Sequence, residues 1–328
     1  MNRRQLLKST ILAGGVSFLP RAGLLAAPQK DIRSAGGFKK IMLGELEIII
    51  ISDGHILEKT VQPFIAPRGP AAEVKALLEK HFRPTDSVDL AMNLMLVRSG
   101  KRVYLLDTGM GMFADRNTGL LLKSMQAVDI KPEQITDIII SHAHPDHIGG
   151  VVNKDGVLRF PKANIYLSKT EHDFWMKASM ADFQNSPLKN EPAFLDMFIP
   201  AVRKILSSIK PQLRFLDFSQ KLDNIFTFQP APGHTPGLIM TTINAGDEKL
   251  MYIADLIHSD AVLFEHPEWG FSGDTDLDLA IESRVKLLDQ LAATRTRTFA
   301  YHLPWPGLGH VRKKEIGFEW VPELYATP

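Results

Sequence analysis

HAHPDH, at residues 142–147, places three histidines and one aspartate within six positions. The apolar run 138–140 precedes it, separated only by Ser141, and Gly149 and Gly150 follow it. Because the chain has only 11 histidines in 328 residues, a chance cluster of this kind is expected about once per thousand chains. A strand that ends in a turn can bring these side chains together, so the stretch predicts a metal site at the carboxyl end of a strand.

The spacing within the stretch allows its side chains to face one cation or two. His142 and His144 alternate and can share one cation, whereas Asp146 and His147 follow the turn at Pro145 and can face a second. Neutral imidazole nitrogens and carboxylates are the ligands that zinc and neighbouring divalent metals prefer. The plain alternative is a solvated histidine-rich loop.

Three further segments supply the missing partners. APGHTPG (231–237) contains His234, MYIAD (251–255) ends in Asp255, and TFAYH (298–302) ends in His302. Asp255 and His302 each follow an apolar run, and His234 lies between two such runs. In α/β sheets, functional residues commonly lie at the ends of the strands that these runs predict. Taken singly, each is often an ordinary structural residue. Together with HAHPDH they predict a common site.

This set of motifs resembles the metallo-β-lactamase superfamily over about residues 38–320. The resemblance implies an α/β fold, the αββα four-layer sandwich, and two divalent metal ions. It implies that the first metal is bound by His142, His144 and His234, the second by Asp146, His147 and His302, and that Asp255 bridges both. Zinc is the first expectation, with manganese, cobalt and iron as alternatives.

Outer partners for the ligating imidazoles are also expected, since such rings usually donate their second N–H to a carboxylate or carbonyl. Asp53 in ISDGH and Asp107 in LLDTG each end an apolar run. Asp107 is favoured by the family's DTG context. Asp53 is equally well explained as a turn-forming Asp-Gly.

Other segments, among them TEHDFWMKAS and HLPWPGLGHVR, resemble methyl parathion hydrolase-like members of the superfamily. That resemblance implies that Phe113, Trp175 and Phe194 line an aromatic mouth, although each alone is more often a core residue. His258 stands where acyl-homoserine lactonase-like members have a tyrosine. It is expected to bind a substrate carbonyl, with an ordinary loop histidine as the alternative.

The resemblance implies hydrolysis of a small ester-like substrate, a lactone or aryl ester and by extension a phosphotriester, by a metal-bridging hydroxide. Asp255 and Asp146 are then the residues that handle the proton. Two alternatives stay open: a mononuclear iron persulfide dioxygenase-like enzyme and a metal-binding protein without catalysis. β-Lactam hydrolysis is disfavoured because the chain has Asp255 and no cysteine.

The N-terminus and the composition bear on location. MNRRQLLKST followed by ILAGGVSFLP resembles a twin-arginine signal peptide over 1–27, with an uncleaved anchor as the alternative. A periplasmic or secreted enzyme is expected, without stable membrane association after cleavage, as one domain over 36–328. The net charge of +1 argues against nucleic-acid binding. Relatives are often dimers, so a homodimer is a further expectation.

The remaining apolar patterns predict the alternation of elements. Strands are predicted at 45–52, 91–97, 102–106, 137–141, 164–167, 225–229, 238–243, 249–254 and 298–302. Helices are predicted at 71–82, 118–128, 169–178 and 192–209, and from the spacing of Leu277, Ile281, Val285, Leu288 and Leu291.

Overall fold

The computed structural model describes residues 37–324, and the predicted signal segment 1–27 lies outside them. A seven-stranded sheet comes first along the chain, with its strands in sequence order. The first four strands pair antiparallel and the last four pair parallel. These strands are β1 (Lys39–Leu43), β2 (Leu46–Glu58), β3 (Val88–Ser99), β4 (Arg102–Leu106), β5 (Asp137–Ile139), β6 (Asn164–Leu167) and β7 (Leu213–Phe215).

A six-stranded sheet follows, in the order β13-β12-β11-β10-β9-β8. Only β10 and β11 pair parallel, and the other neighbours are antiparallel. Its strands are β8 (Phe226–Pro230), β9 (Ile239–Ala245), β10 (Glu248–Tyr252), β11 (Arg297–Phe299), β12 (Leu308–Lys313) and β13 (Phe318–Pro322).

The α-helices among the described residues are α1 (Ala71–Lys80), α2 (Leu121–Ala127), α3 (Pro145–Ile148), α4 (Lys169–Lys177), α5 (Pro192–Ile209), α6 (Val262–Glu265) and α7 (Leu277–Thr294). All five predicted helices are present, and the predicted span 192–209 matches α5. The short helices α3 and α6 and the strands β1, β7, β12 and β13 were not predicted. No helix within residues 37–324 is long and apolar enough to span a membrane.

The two sheets pack face to face between helices, which makes the αββα sandwich. Buried side chains of both sheets meet in the middle, as where the rings of Tyr104 on β4 and Phe226 on β8 lie 4.8 Å apart. The predicted strand 137–141 ends at Ile139, because the backbone N–H of Ser141 donates to the Asp107 carboxylate rather than to a neighbouring strand. The next residues are therefore free to turn toward the second sheet.

Candidate metal centre

The predicted ligands converge at the carboxyl ends of two pairs of parallel strands. In the first sheet β4 leads to Asp107 and β5 leads to HAHPDH, and in the second β10 and β11 lead to Asp255 and His302. His234 lies in the loop between β8 and β9. Parallel neighbours end at the same edge, so the two sheets deliver side chains to one place.

Two groups of side chains form there, and within each group the ligand atoms lie within 4.8 Å of one another. The first group is His142, His144, His234 and Asp255, and the second is Asp146, His147, His302 and Asp255. Asp255 belongs to both groups. Its Oδ2 lies 3.4 Å from Nε2 of His234 and 3.1 Å from Nε2 of His302, while its Oδ1 lies 3.0 Å from Nε2 of His147.

The donor atoms fit two cations by their burial and lack of partners. Four imidazole Nε2 atoms and Asp255 Oδ1 are buried with no hydrogen-bond partner among the described residues; the imidazoles belong to His142, His144, His147 and His234. A buried polar atom without a partner is costly unless a ligand satisfies it. The residues present therefore match what a pair of divalent cations requires.

The electrostatics of the groups agree with that fit. Burial lowers the pKa of His142 and His144, which leaves these imidazoles neutral with a free lone pair. Burial acts to raise the pKa of Asp255, but the neighbouring His147 and His302 hold it well below its usual value. An ionised carboxylate beside the neutral imidazoles of His142 and His144 is the combination that binds zinc-like metals. Burial acts to lower the pKa of His147 and His302, but the Asp255 and Asp146 carboxylates raise it.

Asp107 lies where an outer partner of the second group is expected. Its Oδ2 is 2.8 Å from Nδ1 of His147 and accepts from Ser141 Oγ at 2.7 Å and from the Tyr252 hydroxyl at 2.5 Å. These contacts fix the ring so that its Nε2 faces Asp255. His302 is fixed in the same way, with Nδ1 2.9 Å from the carbonyl oxygen of Ala91.

Asp53 lies elsewhere than expected, since it contacts no predicted ligand in the described hydrogen bonds. Its two oxygens accept backbone N–H groups of Met110, Gly119 and Leu121 at 2.7–3.2 Å. The carboxylate is buried and holds the loop that follows β4, so its role is to shape the backbone beside the centre. Of the two expectations for Asp53, the turn-forming one is closer to what the structure shows. The loop that Asp53 stabilises is, however, distant from it in sequence.

The predicted aromatic mouth is only partly formed by the expected residues. Phe194 lines the cavity above the metal groups, but Trp175 and Phe113 do not. Trp175 is fully buried because its indole packs near the His144 ring, with centroids 5.9 Å apart, and its Nε1 donates to Glu171. Phe113 packs instead against Gly149 behind the HAHPDH loop.

The cavity above the two groups has a volume of about 420 Å³. Its floor carries ligand side chains of both groups together with His258. Its walls are mainly apolar, formed by Ile56, Phe64, Leu90, Met110, Leu188, Phe194, Phe198 and Phe271. His258 lies between the Phe271 ring at 3.6 Å and the His302 ring at 5.0 Å, and its Nε2 is 3.2 Å from Asp255 Oδ2.

Sequence reasoning missed two buried carboxylates that support the first group. Asp274 lies 2.9 Å from Nδ1 of His234 and accepts from Arg284 at 3.0 Å. Glu171 accepts from both loops that carry the first group's histidines. Neither residue lies in a segment whose pattern marks a ligand or its partner, so only the folded chain reveals them.

A family model described as the metallo-beta-lactamase superfamily matches residues 89–302. AidC, described as a dizinc quorum-quenching lactonase in complex with a product, N-hexanoyl-L-homoserine, is 56% identical. The alignment covers 89% of this chain and 99% of AidC, with a TM-score of 0.87. The hydrolase AbOPH is 27% identical over 90% of this chain and all of its own, with a TM-score of 0.81. Comparison with curated proteins gives no match.

The fold and the donor set define a metal-dependent hydrolase. The chain belongs to the metallo-β-lactamase superfamily. The predicted family, fold class and reaction class are thereby confirmed.

Proposed function

We propose that the protein is a dizinc lactonase that opens the ring of N-acyl homoserine lactones. The observation that carries this proposal is the apolar cavity of about 420 Å³ directly above the two groups of metal ligands. A cavity of that size suits a small ligand with an aliphatic chain. The 56% identity to AidC supports the same substrate class.

Seven residues would hold the two cations: His142, His144 and His234 in the first group, Asp146, His147 and His302 in the second, and Asp255 in both. When bound, such a pair of cations lowers the pKa of coordinated water toward neutrality and polarises the ester carbonyl. Three histidines and a carboxylate in the first group favour zinc.

The carboxylates of Asp255 and Asp146 are placed to handle the proton of the reaction. Water loses a proton as it adds to the lactone carbonyl, and collapse of the tetrahedral intermediate then breaks the ring C–O bond and leaves an alkoxide that needs a proton. Asp255 lines the cavity, and its carboxylate can accept a proton from the attacking water and return it to the alkoxide oxygen. Asp146 also lines the floor and can share this task.

His258 is proposed to orient the substrate. Its Nδ1 is buried and has no hydrogen-bond partner among residues 37–324, and the side chain lines the cavity. The rings of Phe271 and His302 hold the imidazole on both faces. Burial lowers the pKa of His258 to about 3, and its Nε2–H faces the Asp255 carboxylate, so Nδ1 of the neutral ring is an acceptor. An amide N–H of the substrate would satisfy this nitrogen.

The charges at the cavity favour a neutral substrate over a β-lactam. Glu58 and Glu191 line it, and no Lys or Arg does so among the described residues. The carboxylate of a penicillin-like substrate would therefore find no counter-charge beside the walls, whereas an acyl homoserine lactone carries none.

The test is to purify the protein, count its metals, and compare kcat/KM for N-hexanoyl homoserine lactone, an aryl ester, an aryl phosphotriester and a β-lactam. The lactone is expected to exceed each of the others by about 100-fold or more, with two zinc ions per chain. One metal per chain, or faster turnover of another class, would reject the proposal. Oxygen consumption with a persulfide substrate would instead identify the iron dioxygenase alternative.

Export by the N-terminal segment remains part of the proposal. Arg3 and Arg4 precede the apolar residues 11–20, which supports a twin-arginine signal. Cell fractionation of the full chain beside an Arg3→Lys, Arg4→Lys variant tests it. Periplasmic activity that depends on the arginine pair is expected, and equal activity in the cytoplasm for both chains would reject it.

A further inference from the structure

Glu171 lies in the first turn of α4 with its carboxylate fully buried. Four donors surround it. Oε1 accepts from the backbone N–H of Ala143 at 2.8 Å and from Trp175 Nε1 at 2.7 Å. Oε2 accepts from the hydroxyl of Thr235 at 2.7 Å and from the backbone N–H of Gly237 at 2.9 Å.

The donors belong to the two loops that carry the first metal group. Ala143 lies between His142 and His144, and Thr235 is adjacent to His234. One carboxylate therefore joins two chain segments about ninety residues apart, since Ala143 lies 28 positions before Glu171 and Gly237 lies 66 positions after it. Gly237 allows this approach, since a Cβ there would lie 2.2 Å from the backbone nitrogen of Glu171.

Each oxygen of the Glu171 carboxylate accepts two of these four hydrogen bonds. Burying a charge without compensation is very unfavourable, so the four hydrogen bonds are needed to keep it there. A glutamate three residues after a helix N-cap serine ordinarily reaches back to the cap. Ser168 is that N-cap, yet both Glu171 oxygens turn inward to the loops.

We propose that Glu171 is a positioning residue that sets the metal affinity of the first group by fixing the spacing of its two loops. The inference rests on the proposed dinuclear centre. Replacing Glu171 would let the His142–His144 segment and the His234 segment move apart. The second group would change much less, because Asp107 and the Ala91 carbonyl hold its histidines separately.

Glu171→Gln is a sharp test because the amide has one acceptor oxygen. If its NH2 faces the 234 loop, the Gly237 N–H loses its acceptor; if it faces the 143 loop, Ala143 and Trp175 lose theirs. The first group is isolated in a His302→Ala background and the second in a His234→Ala background. Co²⁺ affinity is measured in each background, with and without Glu171→Gln, by absorption during chelator competition.

We expect Glu171→Gln to weaken Co²⁺ binding to the first group by about 10- to 100-fold and to leave the second group within about threefold. Glu282→Gln, on the exposed side of α7, is the matched control and should change neither affinity. Equal weakening of both groups, or no weakening of the first, would overturn the inference. One metal per wild-type chain would instead reject the proposed function itself.

A milder variant covers the case in which Glu171→Gln does not fold. Thr235→Val keeps the shape of a fully buried side chain and removes one donor to Glu171. It should weaken Co²⁺ binding to the first group severalfold, and an unchanged affinity would also count against the positioning role.

Discussion

Asp274 lies 2.9 Å from Nδ1 of His234, with both side chains buried. The carboxylate also accepts from the guanidinium of Arg284 on α7 and from the backbone N–H of Phe271. Burial acts to raise the pKa of Asp274, but the positive charge of Arg284 outweighs it and holds this pKa at about 2. The ring of His234 is thereby held with Nε2 toward Asp255, so α7 supports the metal centre from outside the cavity.

Asp274→Asn should therefore weaken metal binding and the fold together. The amide cannot accept from His234, Arg284 and Phe271 at once, and Arg284 is left buried without a counter-charge. We expect about 10-fold weaker metal binding at the first group and a loss of about 3 kcal/mol in the free energy of unfolding. Metal competition and urea unfolding measure the two effects, with the exposed Asp289→Asn as control. Unchanged metal affinity would show that Asp274 supports the fold alone.

The second metal group is tested by His302→Ala. Removing this ligand leaves Asp146, His147 and Asp255, which is one donor fewer around a buried site. We expect the bound metal to fall from two ions per chain to one and kcat/KM for the lactone to fall by about 100-fold or more. Elemental analysis and steady-state kinetics on the same sample decide it. An unchanged rate with one metal would favour a one-metal mechanism.

The ligand set was predictable because each ligand lies in a local signal. HAHPDH is dense in ligand side chains, and Asp255 and His302 follow apolar runs. The supporting residues have no such signal. Glu171 reads as a helix-capping residue beside Ser168, and its partners lie in two distant loops. Such contacts arise only from the way the two sheets meet.

The missed strands and the misplaced aromatic residues of the predicted cavity mouth also have physical reasons. The short strands β1 and β7 lie at the edge of a sheet, where a weak pattern suffices because one side is unpaired. Trp175 alone is more often a core residue than a pocket residue, and its hydrogen bond to Glu171 places it in the core. Phe194 has the same aromatic character but lies on the cavity side of α5.

Phe194→Ala should weaken binding of long acyl chains. The ring is 39% exposed and lies 5.2 Å from the ring of Phe198, so its loss removes part of the apolar wall. We expect KM for a long-chain lactone to rise about fivefold, which corresponds to about 1 kcal/mol of apolar contact. KM for a short-chain lactone should change less. Phe218→Ala is an exposed control outside the cavity, and equal rises for both chain lengths would contradict the assignment.

Asp53 gives the stability of the fold a pH dependence. Burial raises its pKa from 3.8 to about 6, although the backbone N–H groups of Met110, Leu121 and Gly119 act in the opposite direction. The folded protein therefore holds this proton more tightly than the unfolded chain. The stabilisation is complete below the unfolded pKa of 3.8 and is lost as the pH rises through the folded value of about 6.

Asp53→Asn removes this titration, so comparing it with the wild type isolates the effect. The shift corresponds to about 3 kcal/mol. The wild type should exceed the variant in free energy of unfolding by more at pH 4 than at pH 7, with the change falling between pH 4 and 6. Urea unfolding at closely spaced pH values measures it, and taking the difference between the two proteins cancels pH effects that they share, including metal loss in acid. A difference that stays constant from pH 4 to 7 would show that the carboxylate titrates alike in the folded and unfolded chain, and that its three backbone hydrogen bonds fully offset its burial.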